Sequence, residues 1–150
     1  MSFINYRKAE ISDLKPLSEL FNSYRGFYNK ESDIEGAKVF LAERISNGDS
    51  EIFVAENNEA KLVGFIQLYP LFSSTRMKKL WLLNDLFVSP EYRSKGIAIE
   101  LINKGKEVVR KSNACGMYLE TDKSNVIGNN LYPKTGFELN KYANFYEWNI

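Results

Sequence analysis

Two hydrophobic periods divide this chain. Leu14, Leu17, Leu20, Phe21 and Tyr24 recur every three to four positions, and so do Ile97, Ala98, Leu101, Ile102, Val108 and Val109. That spacing puts apolar side chains on one face of a helix. Elsewhere the apolar residues come in short runs suited to strands: 3–7, 51–56, 61–69 and about 78–88. Punctuation sharpens the limits. Asp13 is placed to cap the first helix, and Pro16 falls in its tolerant first turn. Ser32 and Glu35 have capping-box spacing ahead of a second helix through Phe40, Leu41 and Ile45, which Gly48 ends. Asn57-Asn58 predicts a hairpin, Pro70 with Ser73-Ser74 the next connection, and Ser89-Pro90 the end of the long strand.

Gly105 lies on the apolar face of the 97–111 helix, where close packing on a sheet accounts for it. Residues 116–121 read as a buried strand, a helix begins near Asn125 and ends before Gly136, and 137–139 and 144–149 read as two final strands. The order β-α-α-β-β-β-α-β-α-β-β predicts an α/β fold with a central mixed sheet and helices on both faces. No repeat or linker interrupts it, so residues 1–150 are expected to form a single domain.

Composition removes several functions. Lysine plus arginine number 20 against 19 acidic residues, so nothing draws the chain to nucleic acid or an anionic membrane. No window is apolar enough to span a bilayer, and no signal pattern opens the chain. Histidine is absent and Cys115 is the sole cysteine, which removes Ser–His and Cys–His nucleophile pairs and the commonest zinc sites. No metal is expected. A lone thiol, read as a small core residue, suits a reducing cytoplasm.

The most informative stretch is Arg93-Ser94-Lys95-Gly96-Ile97-Ala98, between the long strand and the 97–111 helix. The first N–H groups of a helix lack intrahelical partners and, with the helix dipole, welcome an anion. Gly96 admits close approach to the backbone, and Arg93 and Lys95 add cations, so this segment is expected to hold phosphate.

Here the chain resembles the GNAT acyltransferase superfamily. Arg93–Ala98 resembles its R/Q-x-x-G-x-G/A loop for the pyrophosphate of acetyl-CoA. Asn125-Val126-Ile127-Gly128-Asn129-Asn130-Leu131-Tyr132-Pro133-Lys134-Thr135-Gly136-Phe137 resembles its N-x-x-A-x-x-L-Y-x-x-x-G-F segment, with Gly128 where alanine is usual. Tyr24–Tyr28, Asn84–Val88 and Thr121–Asn125 look like the branch containing yeast enzymes that acetylate histones or D-amino acids.

The resemblance implies transfer of acetyl from acetyl-CoA to a primary amine, small-molecule or peptide, by direct attack in a ternary complex, with a homodimer by analogy. The alternative is a non-catalytic acyl-CoA sensor or partner module on the same fold. An ammonium near pKa 10 must lose its proton before attacking a thioester, an obstacle of about 4–5 kcal/mol at neutral pH. Glu120, at the end of its strand, holds a place where family members carry a base, and Asp85 is the second candidate. Alternation puts Asp85 on one face with Leu83 and Phe87 unless a bulge intervenes. Tyr132 holds the family position for protonating the leaving thiolate. The strand carrying Leu86, Phe87 and Val88 is expected to splay from residues 116–121. Leu86 and Val88 would then be free to bond the pantetheine arm, and the N–H near Phe87 to serve the oxyanion. Asn125 caps its helix and, by resemblance, also bonds that arm. Tyr24, Phe27, Tyr28, Phe72, Tyr142 and Phe145 offer aromatic surface for the acceptor, at least half of them expected to be buried.

Overall fold

A computed structural model describes residues 3–150. Contacts divide the chain into two compact units, one ending at Leu119 and one spanning Glu120–Ile150. In the first, strands β1 (Ile4–Lys8), β2 (Glu51–Asn57), β3 (Leu62–Ser73), β4 (Lys78–Val88) and β5 (Met117–Tyr118) lie in sequence order in one sheet. The first three pairings are antiparallel, and β4–β5 is parallel. Helices α1 (Leu14–Phe27) and α2 (Ile34–Asn47) cover one face. Their Leu17, Leu20, Phe21, Ala37 and Leu41 pack with Ile52, Val54, Phe65 and Phe87. Helix α3 (Ile97–Lys111) covers the other face, burying Ile97, Leu101, Ile102 and Gly105. A Cβ built on Gly105 would meet Leu68, Met117 and Ile66 at 3.5–3.6 Å, ordinary contact distance, so the packing is close but does not demand glycine.

Local chemistry moves three expected features. The helix α2 is capped by Asp33, not Ser32: the Asp33 carboxylate accepts from the Gly36 N–H at 2.9 Å, while Ser32 accepts from Asn22. Asp13 precedes α1 without capping it by a side-chain bond. Its carboxylate is taken by a fork of two 2.8 Å bonds from Arg7 and by the Glu10 N–H. β3 runs through Pro70 to Ser73 because β2 ends its pairing at Leu68. Beyond that point β3 is an edge, where a missing N–H is tolerated.

The predicted strand at 116–121 contracts to Met117–Tyr118, half-buried and exposed rather than buried. Its ladder holds only two pairs, Trp81↔Met117 and Leu82↔Tyr118.

In the second unit, α4 (Val126–Lys134) is the regular element. Asn125 caps it, accepting from the Gly128 N–H at 3.1 Å and donating to Thr121 at 2.8 Å. A Cβ on Gly128 would lie 2.5 Å from the Asn125 amide nitrogen, so glycine here leaves room for the cap. The strands expected at 137–139 and 144–149 are absent. Alternation makes a strand only where a neighbour's ladder accepts it, and Leu139, Tyr142, Phe145, Tyr146 and Trp148 are exposed.

Candidate active site

The site in the first unit begins with an irregularity in β4. Gln67 pairs with Asp85, but the next β3 residue, Leu68, pairs with Leu83. Asn84 is therefore an extra residue, a bulge. Paired residues share a sheet face, and Leu68 packs under α3, so Leu83 faces α3 while Asp85 and Phe87 face α1 and α2. The expected grouping of Asp85 with Leu83 is thus corrected; that with Phe87 stands.

Asp85 is 4% exposed, and its hydrogen-bonding partners Gln67, Asn84 and Tyr24 are all neutral. Gln67, itself fully buried, donates to one carboxylate oxygen at 2.7 Å, and Asn84 donates to the other at 3.2 Å. The Ser50 hydroxyl donates to the Gln67 carbonyl at 2.9 Å. The Tyr24 hydroxyl lies over the bulge, donating to the Asn84 carbonyl at 3.2 Å, and also stabilises the carboxylate. Burial nevertheless dominates and raises the Asp85 pKa above the ordinary carboxylate value, with the three hydrogen-bonding partners opposing it. Burial and the nearby Asp85 charge push Tyr69 up as well.

The sequence does not point to Gln67 or Ser50, and the bulge it leaves open falls at Asn84. One signal was available for Gln67: it is the only strongly polar side chain in the apolar run Leu62–Leu68. A run apolar on both faces is covered on both faces, so a glutamine within it needs a buried partner.

Beyond the bulge, β4 is paired on one side only, since the β5 ladder stops at Leu82. This is the expected splaying. The Ser89 N–H bonds the Val63 carbonyl at 2.8 Å, toward β3. By alternation the Phe87 peptide groups also point to β3, and those of Leu86 and Val88 point to the open side. Of the N–H groups near Phe87 expected to serve the oxyanion, that of Phe87 itself belongs to the ladder, and Leu86 and Val88 present the free edge. The Val88 carbonyl accepts from Arg93 Nε at 2.9 Å.

The loop after β4 leads to the open end of α3. Ser94 and Gly96 both adopt positive φ, 61° and 80°. Ser94, Lys95 and Gly96 are exposed, so the α3 N-terminus opens to solvent. The first helical bond is from Glu100 N to Gly96 O at 3.2 Å, leaving the N–H groups ahead of it free of intrahelical partners. Nothing lies within 4 Å of the position a Gly96 Cβ would take, while buried Ile97 anchors the turn. The open cradle fits a phosphate. The Arg93 guanidinium lies 5.5 Å over the Phe87 ring, with its terminal nitrogens not engaged by the Val88 bond, and Lys95 lies over Tyr92 at 5.1 Å. Asp85, Leu86, Val88 and Arg93–Ala98 are thus brought together along one strand–loop–helix passage.

Other predicted residues stand apart in character. Glu120 is exposed and lies beyond β5 rather than within a strand. In the second unit, the ring of Tyr132 makes an edge contact with Phe137 at 5.8 Å, and its carbonyl accepts from the Thr135 and Phe137 N–H groups. Of the six aromatics expected to serve the acceptor, Tyr24 alone is not exposed. It packs on Phe21, Phe65 and Phe87, whereas Phe27, Tyr28, Phe72, Tyr142 and Phe145 are open to solvent. The expectation that half would be buried fails. No helix among the described residues is long and apolar enough to cross a membrane, and no group of three or more candidate metal ligands occurs among them.

Comparison with known proteins gives this passage its context. The model of the acetyltransferase (GNAT) family matches residues 17–137. The uncharacterized N-acetyltransferase YhfO of Bacillus subtilis is 42% identical over 135 residues, covering 90% of each chain. A crystal structure described as a probable acetyltransferase superposes with a TM-score of 0.92 at 33% identity, over 97% of each chain. The fold is shared at 18% identity, TM-score 0.84, with an aminoglycoside N-acetyltransferase AAC(6')-Iy solved in complex with CoA, over 100% of this chain and 97% of that one. The chain belongs to the acetyltransferase (GNAT) family and is an acyltransferase, with acetyl-CoA its expected co-substrate.

Proposed function

We propose that residues 1–150 act as one cytoplasmic N-acetyltransferase domain, moving acetyl from acetyl-CoA to a primary amine by direct attack in a ternary complex. The carrying observation is the passage in the first unit: a buried carboxylate with a raised pKa, an unpaired β4 edge, and an open helix N-terminus follow one another along the chain. The N–H groups of residues 95–98, with Arg93 and Lys95, hold the pyrophosphate. Leu86 and Val88 bond the peptide-like pantetheine arm as a strand would. Asp85 takes a proton from the amine, whose nitrogen attacks the thioester carbonyl carbon. The carbon–sulfur bond breaks, and CoA leaves as a thiolate that Tyr132, by the resemblance of its segment, protonates. That resemblance also keeps Asn125 on the pantetheine arm and Glu120 as the base to test if Asp85 fails. The free N–H of Leu86 or Val88 serves the oxyanion.

The test is release of CoA thiol with a panel of amines: polyamines, amino acids including D-amino acids, aminoglycosides, and peptides with histone-tail or free N-terminal sequences. The D-amino acids and histone tails follow the branch resemblance of Tyr24–Tyr28, Asn84–Val88 and Thr121–Asn125. Amine-dependent thiol release supports the reading. Tight acetyl-CoA binding without turnover on any amine identifies a sensor module instead. Light scattering decides the homodimer included in this reading.

A further inference from the structure

Asp85 is not held symmetrically. One oxygen receives a 2.7 Å bond from the buried Gln67 amide, and the other a 3.2 Å bond from exposed Asn84 at the bulge. We propose that Gln67 is a positioning residue for Asp85: clamped from behind by Ser50, its amide engages one carboxylate oxygen and leaves the other, beside Asn84, to receive the amine's proton. This rests on the reading of Asp85 as the base.

The argument lies in the two ends of an amide. A glutamine facing a carboxylate can present its NH2 or its oxygen, and only the NH2 stabilises the ionised form. Ser50 donates to the Gln67 oxygen, so the oxygen points toward Ser50 and the NH2 toward Asp85. Gln67 and Asp85 are cross-strand partners, so the backbone ladder fixes the distance between them. Every buried side-chain polar atom among the described residues has a partner, so this polar chain is satisfied as it stands.

A hydrogen bond to a charged acceptor is stronger than one to a neutral acceptor. Gln67 therefore keeps a buried carboxylate available in its basic form against the pull of burial. The other groups bearing on Asp85 are Tyr24 from α1 and Tyr69 from β3, with Arg44 from α2 and Asp49 beside Tyr69. Tyr69 and Arg44 are both pushed upward, away from neutrality, and Arg44 is tied to Asp49 at 2.7 Å.

The test is a titration of the full chain labelled with 13C at aspartate carboxyl carbons. Asp85→Asn assigns the Asp85 signal. The midpoint for Asp85 should rise by about one pH unit in Gln67→Met, which keeps length and volume but removes the donor. It should rise further in Gln67→Glu, which adds a carboxylate that must share the proton. An unshifted or lowered midpoint in either folded variant overturns the proposal. If neither variant folds, the side-chain NH2 resonances of Gln67 in the unaltered protein decide it: they must titrate with the Asp85 midpoint, and a flat response overturns the proposal. Failure of the base reading shows separately, as an Asp85→Asn enzyme with full thiol release while the Gln67 shifts remain.

Discussion

Asp13 and Asp85 are the same side chain with similarly little exposure, 7% and 4%, but Asp85 lies deeper among other atoms, and their pKa shifts are opposite. Asp13 lies at the foot of α1 against the Arg7 guanidinium, which holds its pKa below the ordinary value; Arg7 also reaches Glu56 at 2.6 Å. Asp85 lies on β4 against neutral donors only, and burial raises it. The cation makes Asp13 a fastener between β1 and the turn before α1. Its lack leaves Asp85 a carboxylate that binds a proton more tightly than an ordinary one. Low exposure alone does not distinguish structural from chemical carboxylates; the depth of the group and the charge of its partner do.

The sharpest way to break this contrast is to neutralise each carboxylate in turn. Asp13→Asn should lower stability by about 2 kcal/mol, a melting shift of roughly 4–8 °C, because it unbalances a forked charge-assisted pair. It should leave kcat within about twofold for the folded fraction. Asp85→Asn should do the reverse. It should keep or gain thermal stability at neutral pH while losing activity, since it removes a charge that burial disfavours. A large loss of kcat in Asp13→Asn alongside an unaltered Asp85→Asn enzyme would erase the distinction.

The pH dependence of stability sharpens it. The folded pKa of Asp13 is lowered, so its contribution is present above the unfolded value near 3.8 and is lost as pH falls through the folded value. The folded pKa of Asp85 is raised, so stability is lost as pH rises from near 3.8 through its folded value. Denaturation free energies of Asp85→Asn minus unaltered protein should therefore grow with pH across that window, and those of Asp13→Asn should become more negative as pH rises through the lower window, from the folded Asp13 value up to near 3.8. Parallel curves would contradict both assignments.

Gly96→Val sets side-chain chemistry against backbone shape. The substitution puts a branched residue at φ 80° and fills the open cradle. CoA affinity should weaken about 10- to 100-fold by calorimetry, with the Asp85 titration unmoved. Near-normal affinity in a folded variant would remove the pyrophosphate from this loop. Smallest in effect is Gly105→Ala. A methyl at this position would sit in ordinary contact at 3.5–3.6 Å, so helix propensity should dominate and raise stability by about 0.5–1 kcal/mol. A loss would mean that α3 packs more tightly than those distances allow.

The legible parts of this molecule were those where one residue carries one message. Helix α3 falls at 97–111, as read from its apolar face and Gly96, and β4 at 78–88, as read from its run and Pro90. The position of the bulge at Asn84 leaves no mark in an apolar-rich strand, so plain alternation puts Leu83 on the wrong face. The Arg7–Asp13 fork joins residues whose pairing depends on how the chain folds back, and Asp33 was overlooked beside Ser32 because both are good caps. At 137–149 the pattern was that of strands, but pairing is a property of neighbours and not of the segment itself.

The most direct test is kcat/KM against pH for unaltered protein and Asp85→Asn with the same amine acceptor, over roughly pH 6–9, below a typical amine pKa. With Asp85 as the base, the variant should lose about 10²-fold or more near neutrality and recover part of it as pH rises and neutral amine becomes available without help. An Asp85→Asn enzyme matching the unaltered protein across that range would contradict the account.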